Sequence, residues 1–325
     1  MNNEQKNFKS EIEAASGAPA AGAGGTHRPV LVVESLDFLH IRADGNYIDA
    51  TLGGGGHAAQ ILERLEDGRL LGIDRDPEAC ARTRERFRDY EGQLTVMEGN
   101  YSQIERHCAA SGFPPADGLL ADLGMSSIQL EDASRGFSFN LQGPLDMRLG
   151  PDAGTTAEEI VNRTREDELA DLIYKFSEER HSRRIARAIV KARPIRTTTE
   201  LAQVVTRAIP SRAGLHQIHP ATRTFMALRM AVNQELQHLE SFLEQALNVL
   251  KPGGRAVFIT FHSGEDRIVK RALQAWKQQG RAITLTKHVV RAGEEEIQSN
   301  PRARSAKLRA TEKAGAMGSG SEHRG

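Results

Sequence analysis

Short apolar runs and amphipathic stretches alternate along the chain between residues 46 and 124. Apolar runs bounded by polar or glycine-rich turns are typical of buried strands. The stretches between them carry apolar residues at three- and four-residue steps, which is typical of helices packed on a sheet. Strands are predicted at 46–50, 69–74, 93–98 and 118–124, and helices at 57–65 and 77–90. This order predicts an α/β fold with a doubly wound, mostly parallel sheet.

The alternation stops after residue 124 and resumes at residue 219. The segment 125–218 is polar and mostly helical in pattern, and its roughly ninety residues are too many for one loop in a compact domain. We therefore predict an inserted helical subdomain at 125–218. From 219 to 250 apolar residues again recur at three- and four-residue steps, which predicts one long amphipathic helix.

The α/β pattern continues after that helix. The run "RAVFITF" (255–261) predicts a buried fifth strand, followed by a helix with Ser263 as its N-cap and Asp266 three positions on. A late strand is predicted within 282–290. The resulting division is an α/β domain at 26–124 and 219–311, a disordered Ala- and Gly-rich leader at 1–25, and a disordered tail at 312–325.

Composition narrows the function classes without changing the predicted fold. The 325 residues contain 43 Lys and Arg against 43 Asp and Glu, so a uniformly basic surface is excluded but a local basic patch is not. The two cysteines, Cys80 and Cys108, lie in no Cys-x-x-Cys or Cys/His cluster, which argues against a disulfide framework and a zinc site, and no metal is expected. Because no apolar run is long enough to span a membrane, we expect a cytoplasmic protein without a membrane partner.

Four consecutive glycines follow the first predicted strand, in "YIDATLGGGGH" (47–57). Glycines between a strand and a helix let the backbone approach a ligand and adopt positive φ, although a tight turn without a ligand would also use them. The stretch fits the loose dinucleotide pattern, which leaves an NAD-dependent oxidoreductase open. Asp49 suits the positive end of S-adenosylmethionine better than a pyrophosphate, and Asp74 ends the next strand, where an acid binds ribose hydroxyls. A methyltransferase is therefore favoured over a dehydrogenase.

Two more candidate residues end strands on the same predicted rim, where ligands bind in open α/β sheets. Asp122 could accept a hydrogen bond from an amino group, or it could only cap the turn that follows. His262 could orient a base or bridge a phosphate, or it could be a structural histidine at a helix start.

Cations cluster in two segments. The first, at 180–191, places Arg180, Arg183, Arg184, Arg187 and Lys191 at helical steps on one stripe without intervening acids. A solvated helix face is the alternative, but the acid-free stripe favours contact with nucleic acid and would make 125–218 an RNA-recognition element. The second segment, "NPRARSAKLR" (300–309), contains Arg302, Arg304, Lys307 and Arg309 and could equally be a basic near-terminal tail.

Several segments also resemble the ribosomal RNA small subunit methyltransferase H family, most specifically "RGFSFNLQGPLDMR", "HPATRTF" and "NPRARSAKLR". The resemblance runs from about His27 to Arg309. It implies a class I methyltransferase sheet with an inserted helical domain, and methyl transfer from S-adenosylmethionine to the exocyclic N4 of a cytidine in the decoding centre of 16S rRNA. The implied cofactor contacts are Gly55, Gly56, His57, Asp74, Tyr101, Asp122 and Gln129.

One position departs from the family pattern, because the family usually has leucine where this chain has Gly264. We expect altered packing or a looser helix start there. Our mechanistic hypothesis is that Asp122 accepts a hydrogen bond from N4, while Asp146 and His262 grip the target nucleotide. A ribosome-assembly factor that binds RNA without catalysis remains the non-enzymatic alternative.

Overall fold

A computed structural model describes residues 29–209 and 219–315, so the leader predicted at 1–25 lies outside the described residues. In this part of the chain seven strands form one sheet, in the order β3-β2-β1-β4-β5-β7-β6. The strands are β1 Asn46–Asp49, β2 Arg69–Asp74, β3 Leu94–Glu98, β4 Ala116–Asp122, β5 Leu250–Thr260, β6 Ala282–Thr284 and β7 Lys307–Lys313. Strands β1 to β5 are parallel, and β7 is antiparallel to both of its neighbours.

Helices cover both faces of the sheet. Helices from the chain segment between β4 and β5 form a separate layer. The helices are α1 Val32–Leu39, α2 Gly56–Leu62, α3 Pro77–Arg86, α4 Ile104–Ser111, α5 Ser127–Glu131, α6 Ala157–Arg163, α7 Glu166–Ser177, α8 Ser182–Ala192, α9 Thr198–Ala208, α10 Thr222–Val232, α11 Glu235–Ala246, α12 Ser263–Gln278 and α13 Glu294–Ser299. Short 3-10 turns lie at Arg88–Tyr90, Tyr101–Gln103, Ala133–Arg135 and Pro301–Ser305. A search of the described helices finds none with the length and apolar character that a bilayer crossing requires.

The observed sheet confirms the predicted α/β fold with a mostly parallel, doubly wound sheet, but its last strands differ from the prediction. Only Ala282–Thr284 of the predicted late strand is a strand. A strand that was not predicted, Lys307–Lys313, inserts between it and β5 and runs antiparallel to both, with Val257 opposite Ala310. The predicted tail at 312–325 is therefore wrong at its start, because Glu312 and Lys313 belong to this strand, while 316–325 lie outside the described residues.

The apolar core lies on both faces of the sheet. On one face Phe242 of α11 and Trp276 of α12 pack around Phe258 of β5. On the other face Ile61 of α2 belongs to the cluster that contains Tyr47 of β1. Strands buried on both faces explain why their sequences read as nearly continuous apolar runs.

The helical layer has its own core, which includes Leu145, Ile173, Ile189 and Leu201. Helix α10 also contributes to this core, although residues 219–232 were assigned to the α/β domain from the sequence. The division into an α/β domain and an inserted subdomain at 125–218 stays a prediction.

The long helix predicted from residue 219 is wrong in one respect, because it breaks between α10 and α11 at Asn233 and Gln234. Gln234 adopts φ 49°, a left-handed conformation that interrupts the helical ladder. The Asn233 side chain accepts from the Leu149 N–H at 2.8 Å and donates to the Met147 carbonyl at 2.7 Å. The break therefore ties the two helices to the loop at 147–149, while the apolar spacing continues across it.

Candidate active site

A cleft opens at the carboxyl ends of β1, β2, β4 and β5, the edge where open α/β sheets bind ligands. Its empty space, counted with the open solvent at its mouth, measures about 1090 Å³. Among its walls are six residues expected from the family resemblance: Gly56, His57, Asp74, Tyr101, Asp122 and Gln129.

The glycine loop between β1 and α2 forms one wall of this cleft. Gly53 and Gly55 have φ of 51° and 73°, a region that favours glycine. A Cβ on Gly55 would lie 2.5 Å from the Phe87 ring, so glycine is required there by close approach as well as by conformation. Gly55 itself is absent from the residues that line the cleft within the described chain, whereas Gly56 lines it and begins α2.

Helix α3 and strand β2 hold the glycine loop from behind. The Gly53 N–H donates to Asp74 Oδ2 at 2.7 Å, and Thr83 Oγ1 donates to the Gly53 carbonyl at 3.2 Å. The Arg86 guanidinium donates to the Gly54 carbonyl at 2.7 Å. These contacts preorganise the loop before any ligand arrives.

Two carboxylates flank the loop, Asp74 partly buried and Asp49 fully buried. Asp74 Oδ1 accepts from the Asp76 N–H at 2.9 Å, so both of its oxygens already hold the backbone, and its burial raises its pKa. Each carboxylate oxygen has a second lone pair, which leaves Asp74 able to accept from a ribose hydroxyl. Asp49 is 1% exposed, and its burial raises its pKa to about 6. Its Oδ1 accepts from the Thr51 N–H at 3.1 Å.

Asp122 has the most unusual environment in the cleft. Its side chain is 18% exposed, and Oδ1 is buried without a hydrogen-bond partner. Burial raises its pKa to about 7; the nearby Arg302 lowers it, and Glu265 raises it further. A carboxyl group whose pKa lies near neutral pH, and which has an oxygen without a hydrogen-bond partner, is poised to accept a hydrogen bond or a proton.

His57 lies beside Asp122 at the start of α2. Its Nε2 is 3.0 Å from the Val30 carbonyl, which can only accept, so Nε2 carries the hydrogen. Burial lowers the pKa of His57, and in the neutral ring the bare Nδ1 faces Asp122 Oδ2 at 3.7 Å. His57 therefore shapes the surroundings of Asp122 and anchors α2 to the segment before α1.

Gln129 braces the loop that follows β4. Its Oε1 accepts from the Ser126 N–H at 3.0 Å, which completes a capping box at the start of α5. Its Nε2 donates to Asp76 Oδ2 at 2.8 Å, and Arg135 donates to the same oxygen at 2.9 Å. The side chain thus lines the cleft while tying the ends of β2 and β4 together.

His262 is the N-cap of α12, so the assignment of Ser263 as the N-cap is wrong. Its Nδ1 accepts from the Glu265 N–H at 3.3 Å, and its Nε2 lies 3.1 Å from Glu265 Oε1. The imidazole is 6% exposed, and Glu265 rather than His262 lines the cleft. The capping box is complete beside Gly264, so the looser helix start expected from that glycine is not observed.

Three buried side chains next to the cleft, Glu235, His262 and Glu265, place ligand atoms within 4.8 Å of one another. The Arg229 guanidinium already holds Glu235 through two hydrogen bonds of 2.8 Å. A metal at Nε2 would require that nitrogen to be bare, yet Nδ1 is the acceptor in the capping box, which puts the hydrogen on Nε2. Nε2 lies 3.1 Å from Glu265 Oε1 without meeting hydrogen-bond geometry, so the fold fixes Glu235 and the capping box but leaves this nitrogen without a hydrogen-bond partner among the described residues.

Arg302 lies in the wall of the cleft, next to Asp122. Its guanidinium donates to the Met125 carbonyl, in the loop after β4, and to Ser127 Oγ, at the start of α5. Of its neighbours, Lys307 is buried, and Arg309 pairs with Asp266 at 2.7 Å. The alternative of a basic near-terminal tail at 300–309 is wrong, because this segment is part of the fold.

Comparison with known proteins identifies the relatives of this chain. The sequence profile of the MraW methylase family matches residues 25–314. This chain belongs to the MraW methylase family. A protein of Koribacter versatilis named ribosomal RNA small subunit methyltransferase H is 50% identical over 294 residues, covering 88% of this chain and 93% of that protein. A Sorangium cellulosum protein with the same name is 50% identical over 304 residues, covering 91% and 94%.

The family resemblance and the predicted class I methyltransferase fold are thus confirmed. Membership in this family also argues against the two alternative functions, an NAD-dependent oxidoreductase and a non-catalytic assembly factor. It does not test individual residue roles, so the predicted cofactor, catalytic and RNA contacts stay predictions.

Two predicted residue groups of the methylase lie away from the cleft lining. Asp146 pairs with Arg148 at 2.7 Å, and although burial opposes this, the Arg148 hydrogen bond holds the pKa of Asp146 below its usual value. The predicted RNA contacts on α8 are all exposed: Arg183, Arg184, Arg187 and Lys191. Arg304 is exposed as well.

Several residues of the cleft were not singled out from the sequence. Glu235 and Glu265 line it, and Asp76 anchors its bracing network. Arg75 also lines it, and donates to Asp152 at 2.8 Å. A local signal existed only for Glu265, which stands three residues after His262 in a capping-box pattern. The others depend on contacts between distant segments.

Proposed function

We propose that this methylase transfers a methyl group from S-adenosylmethionine to the exocyclic N4 of a cytidine in the decoding centre of 16S rRNA, in the cytoplasm. The relatives named ribosomal RNA small subunit methyltransferase H support the substrate. The observation that carries the chemistry is Asp122, whose buried Oδ1 has no partner and whose pKa is about 7 beside the glycine loop.

The residues present fit S-adenosylmethionine. The loop at 53–56 provides close backbone approach and the N-terminus of α2, and Asp49 suits a cationic group behind it. Asp74 would hold the ribose and Tyr101 would pack against the base, with Gln129 bracing the opposite wall. When bound, S-adenosylmethionine supplies an electrophilic methyl group on a sulfonium.

The work of the protein is to make cytosine N4 reactive. The N4 lone pair is delocalised into the ring, so the nitrogen is a weak nucleophile until it is held in line with the methyl group. Positioning of this kind lowers barriers by up to about 7–11 kcal/mol. Asp122 accepts a hydrogen bond from one N4 hydrogen, which orients the lone pair. It then receives the proton that nitrogen must lose once the N–C bond has formed.

RNA would reach the cleft across the helical layer. The target base has to leave its stack to enter the pocket. The α8 cations and Arg304 would contact phosphates, which fix the position of the RNA without reading its sequence. Asp146 would meet the nucleotide outside the cleft lining, and His262 would act only through its helix cap.

Labelled S-adenosylmethionine incubated with small ribosomal subunits lacking the modification tests this function. Digestion of the 16S rRNA and nucleoside analysis should show label in N4-methylcytidine. Label in another nucleoside would overturn the choice of N4, and label that appears only in protein would overturn RNA as the substrate. Calorimetry with S-adenosylmethionine and with NAD separately checks the cofactor.

A further inference from the structure

Arg302 connects two segments that lie far apart in the chain. It belongs to the turn Pro301–Ser305 before β7, and its partners Met125 and Ser127 are 177 and 175 residues away. Met125 lies in the loop directly after β4, and Ser127 is the first residue of α5. The guanidinium donors thus point into the protein, and the side chain is largely buried.

The loop that Arg302 holds is part of the reaction site. Gly124, Met125 and Ser126 line the cleft, two to four residues after Asp122. Gln129 braces the loop through the Ser126 N–H, and Arg302 holds it through the Met125 carbonyl. Loss of Arg302 would remove the hold on the Met125 carbonyl, in a loop that begins directly after the candidate proton acceptor.

Arg302 also sets the charge around Asp122. Strand β1 contributes Asp49, the start of α2 contributes His57, and α12 contributes Glu265. The buried His57 is neutral, and the two carboxyl groups disfavour a further negative charge. Within the described residues, Arg302 is the cation that lowers the pKa of Asp122 against its burial.

We propose that Arg302 is a positioning residue for methyl transfer, which holds the loop after β4 and favours the carboxylate form of Asp122. This inference rests on the role of Asp122 in the proposed function. It replaces an RNA phosphate as the partner of this arginine, because the two guanidinium hydrogen bonds are made inside the protein.

The test compares wild type, Arg302→Met, Arg302→Lys and a matched control, Arg291→Met, which removes an exposed arginine from the same C-terminal part of the chain. The kcat and KM for small ribosomal subunits are measured from about pH 5 to pH 9. Removal of the Arg302 charge raises the pKa of Asp122, so the acidic limb of the kcat profile should move up by about one pH unit in Arg302→Met. Activity lost at neutral pH should recover in alkaline buffer.

Arg302→Lys should leave the limb near its wild-type position while kcat falls, because the charge remains but the two-point hold on the loop is lost. Arg291→Met should leave the limb in place. The positioning role is wrong if the limb does not shift in Arg302→Met while KM for subunits rises and the salt dependence of RNA binding weakens. That result would show that Arg302 contacts RNA phosphates. If Arg302→Met does not fold, Arg302→Lys decides: a fall in kcat supports positioning, and a rise in KM alone overturns it.

A second readout is independent of RNA. Because Asp122 lines the cleft, the pH dependence of S-adenosylmethionine affinity, measured by calorimetry, should shift in Arg302→Met in the same direction as the kcat limb. A shift in this profile without any methylation of RNA by wild type would support the electrostatic action of Arg302 on Asp122 and overturn the proposed function. Methylation by wild type with no shift in either profile would overturn the inference alone.

Discussion

The cleft and the exposed stripe of α8 both concentrate charged residues, yet the protein holds these residues in opposite ways. In the cleft the Asp122 side chain is 18% exposed, and its neighbours are fixed by hydrogen bonds between distant segments. On α8 the Arg187 side chain is 77% exposed, and its ion pair with Glu166 spans 3.3 Å in open solvent. Such surface pairs contribute about 0–1 kcal/mol.

The cleft and the α8 stripe differ in how much their structure alone reveals about function. A carboxyl oxygen buried without a hydrogen-bond partner, such as Asp122 Oδ1, costs stability, so its presence in the cleft indicates a use outside the folding of the chain. An exposed arginine costs little, so its presence on α8 fits RNA binding and simple solvation equally well. The role of the cleft residues can therefore be tested by the pH dependence of the methyl-transfer rate. The role of the α8 cations requires the salt dependence of RNA binding.

The largest expected effect comes from Asp122→Asn, which keeps the size of the side chain but removes the proton acceptor. Methyl transfer should fall by about 10²- to 10⁴-fold at neutral pH, and the acidic limb expected near pH 7 in wild type should be absent. Measurement of kcat across pH with small ribosomal subunits checks this. A variant within a few-fold of wild type would leave Asp122 as a structural residue.

Stability provides the control for that variant. Burial raises the folded-state pKa of Asp122 from 3.8 to about 7, so its contribution to stability is complete at low pH and is lost as pH rises through 7. Asp122→Asn carries no such charge. Its melting temperature should therefore equal or exceed that of wild type above neutral pH, and a marked drop there would show that lost activity reflects damage to the fold.

The next effect tests the other region, by changing Arg183, Arg184 and Arg187 together to Gln. If these side chains contact phosphates, the slope of log affinity against log salt should flatten by about 2–3, since each contact contributes about 0.7–0.9. Filter binding or calorimetry with rRNA fragments over a salt series measures it. Arg163, an exposed arginine on α6, gives the matched control in Arg163→Gln. An unchanged slope in the triple variant would make α8 a solvated face.

A contrast between local patterns and long-range contacts also explains how much of the fold could be predicted from the sequence. Strands β1 to β4 and the position of Asp122 follow from local apolar runs and the rim rule, which need only neighbouring residues. The break at Gln234 could not be predicted, because the apolar spacing runs across it and the cause is the distant loop at 147–149. Strand β7 was missed because its register with β5 is a long-range property.

In the site, motif residues were predicted and their braces were not. Asp74 and Gln129 were expected as ligand contacts, but the fold also uses their side-chain atoms to hold backbone and Asp76. Arg302 was expected at an RNA surface, and only the folded chain brings it to the loop after β4. Sequence shows which side chains are present at the rim, whereas tertiary contacts decide which remain available.

A smaller effect should come from Gly55→Ala, which probes how rigidly the cleft is built. Gly55 and Gly92 both have positive φ, but a Cβ meets Phe87 only at Gly55, and nothing lies within 4 Å at Gly92. Gly55→Ala should therefore destabilise the protein by about 1–3 kcal/mol more than Gly92→Ala, because the added atom overpacks the loop. Thermal or urea unfolding measures the difference, and calorimetry should show weaker S-adenosylmethionine binding for Gly55→Ala only. Equal losses in the two variants would mean that the loop adjusts freely and is not preorganised.

The smallest effect is expected at His262, which lies beside the cleft but is engaged in a helix cap. Asparagine is also a good N-cap, so His262→Asn should lose less than about 1 kcal/mol of stability, while His262→Ala should lose about 1–2 kcal/mol. In His262→Asn, kcat should stay within a few-fold of wild type, because His262 does not line the cleft and its Nδ1 is already used by the Glu265 N–H. A kcat lowered by two orders of magnitude in this cap-preserving variant would assign His262 to the chemistry. It would also show that a side chain buried outside the cleft lining can still take part in the reaction, which would weaken the contrast between Asp122 and its braces.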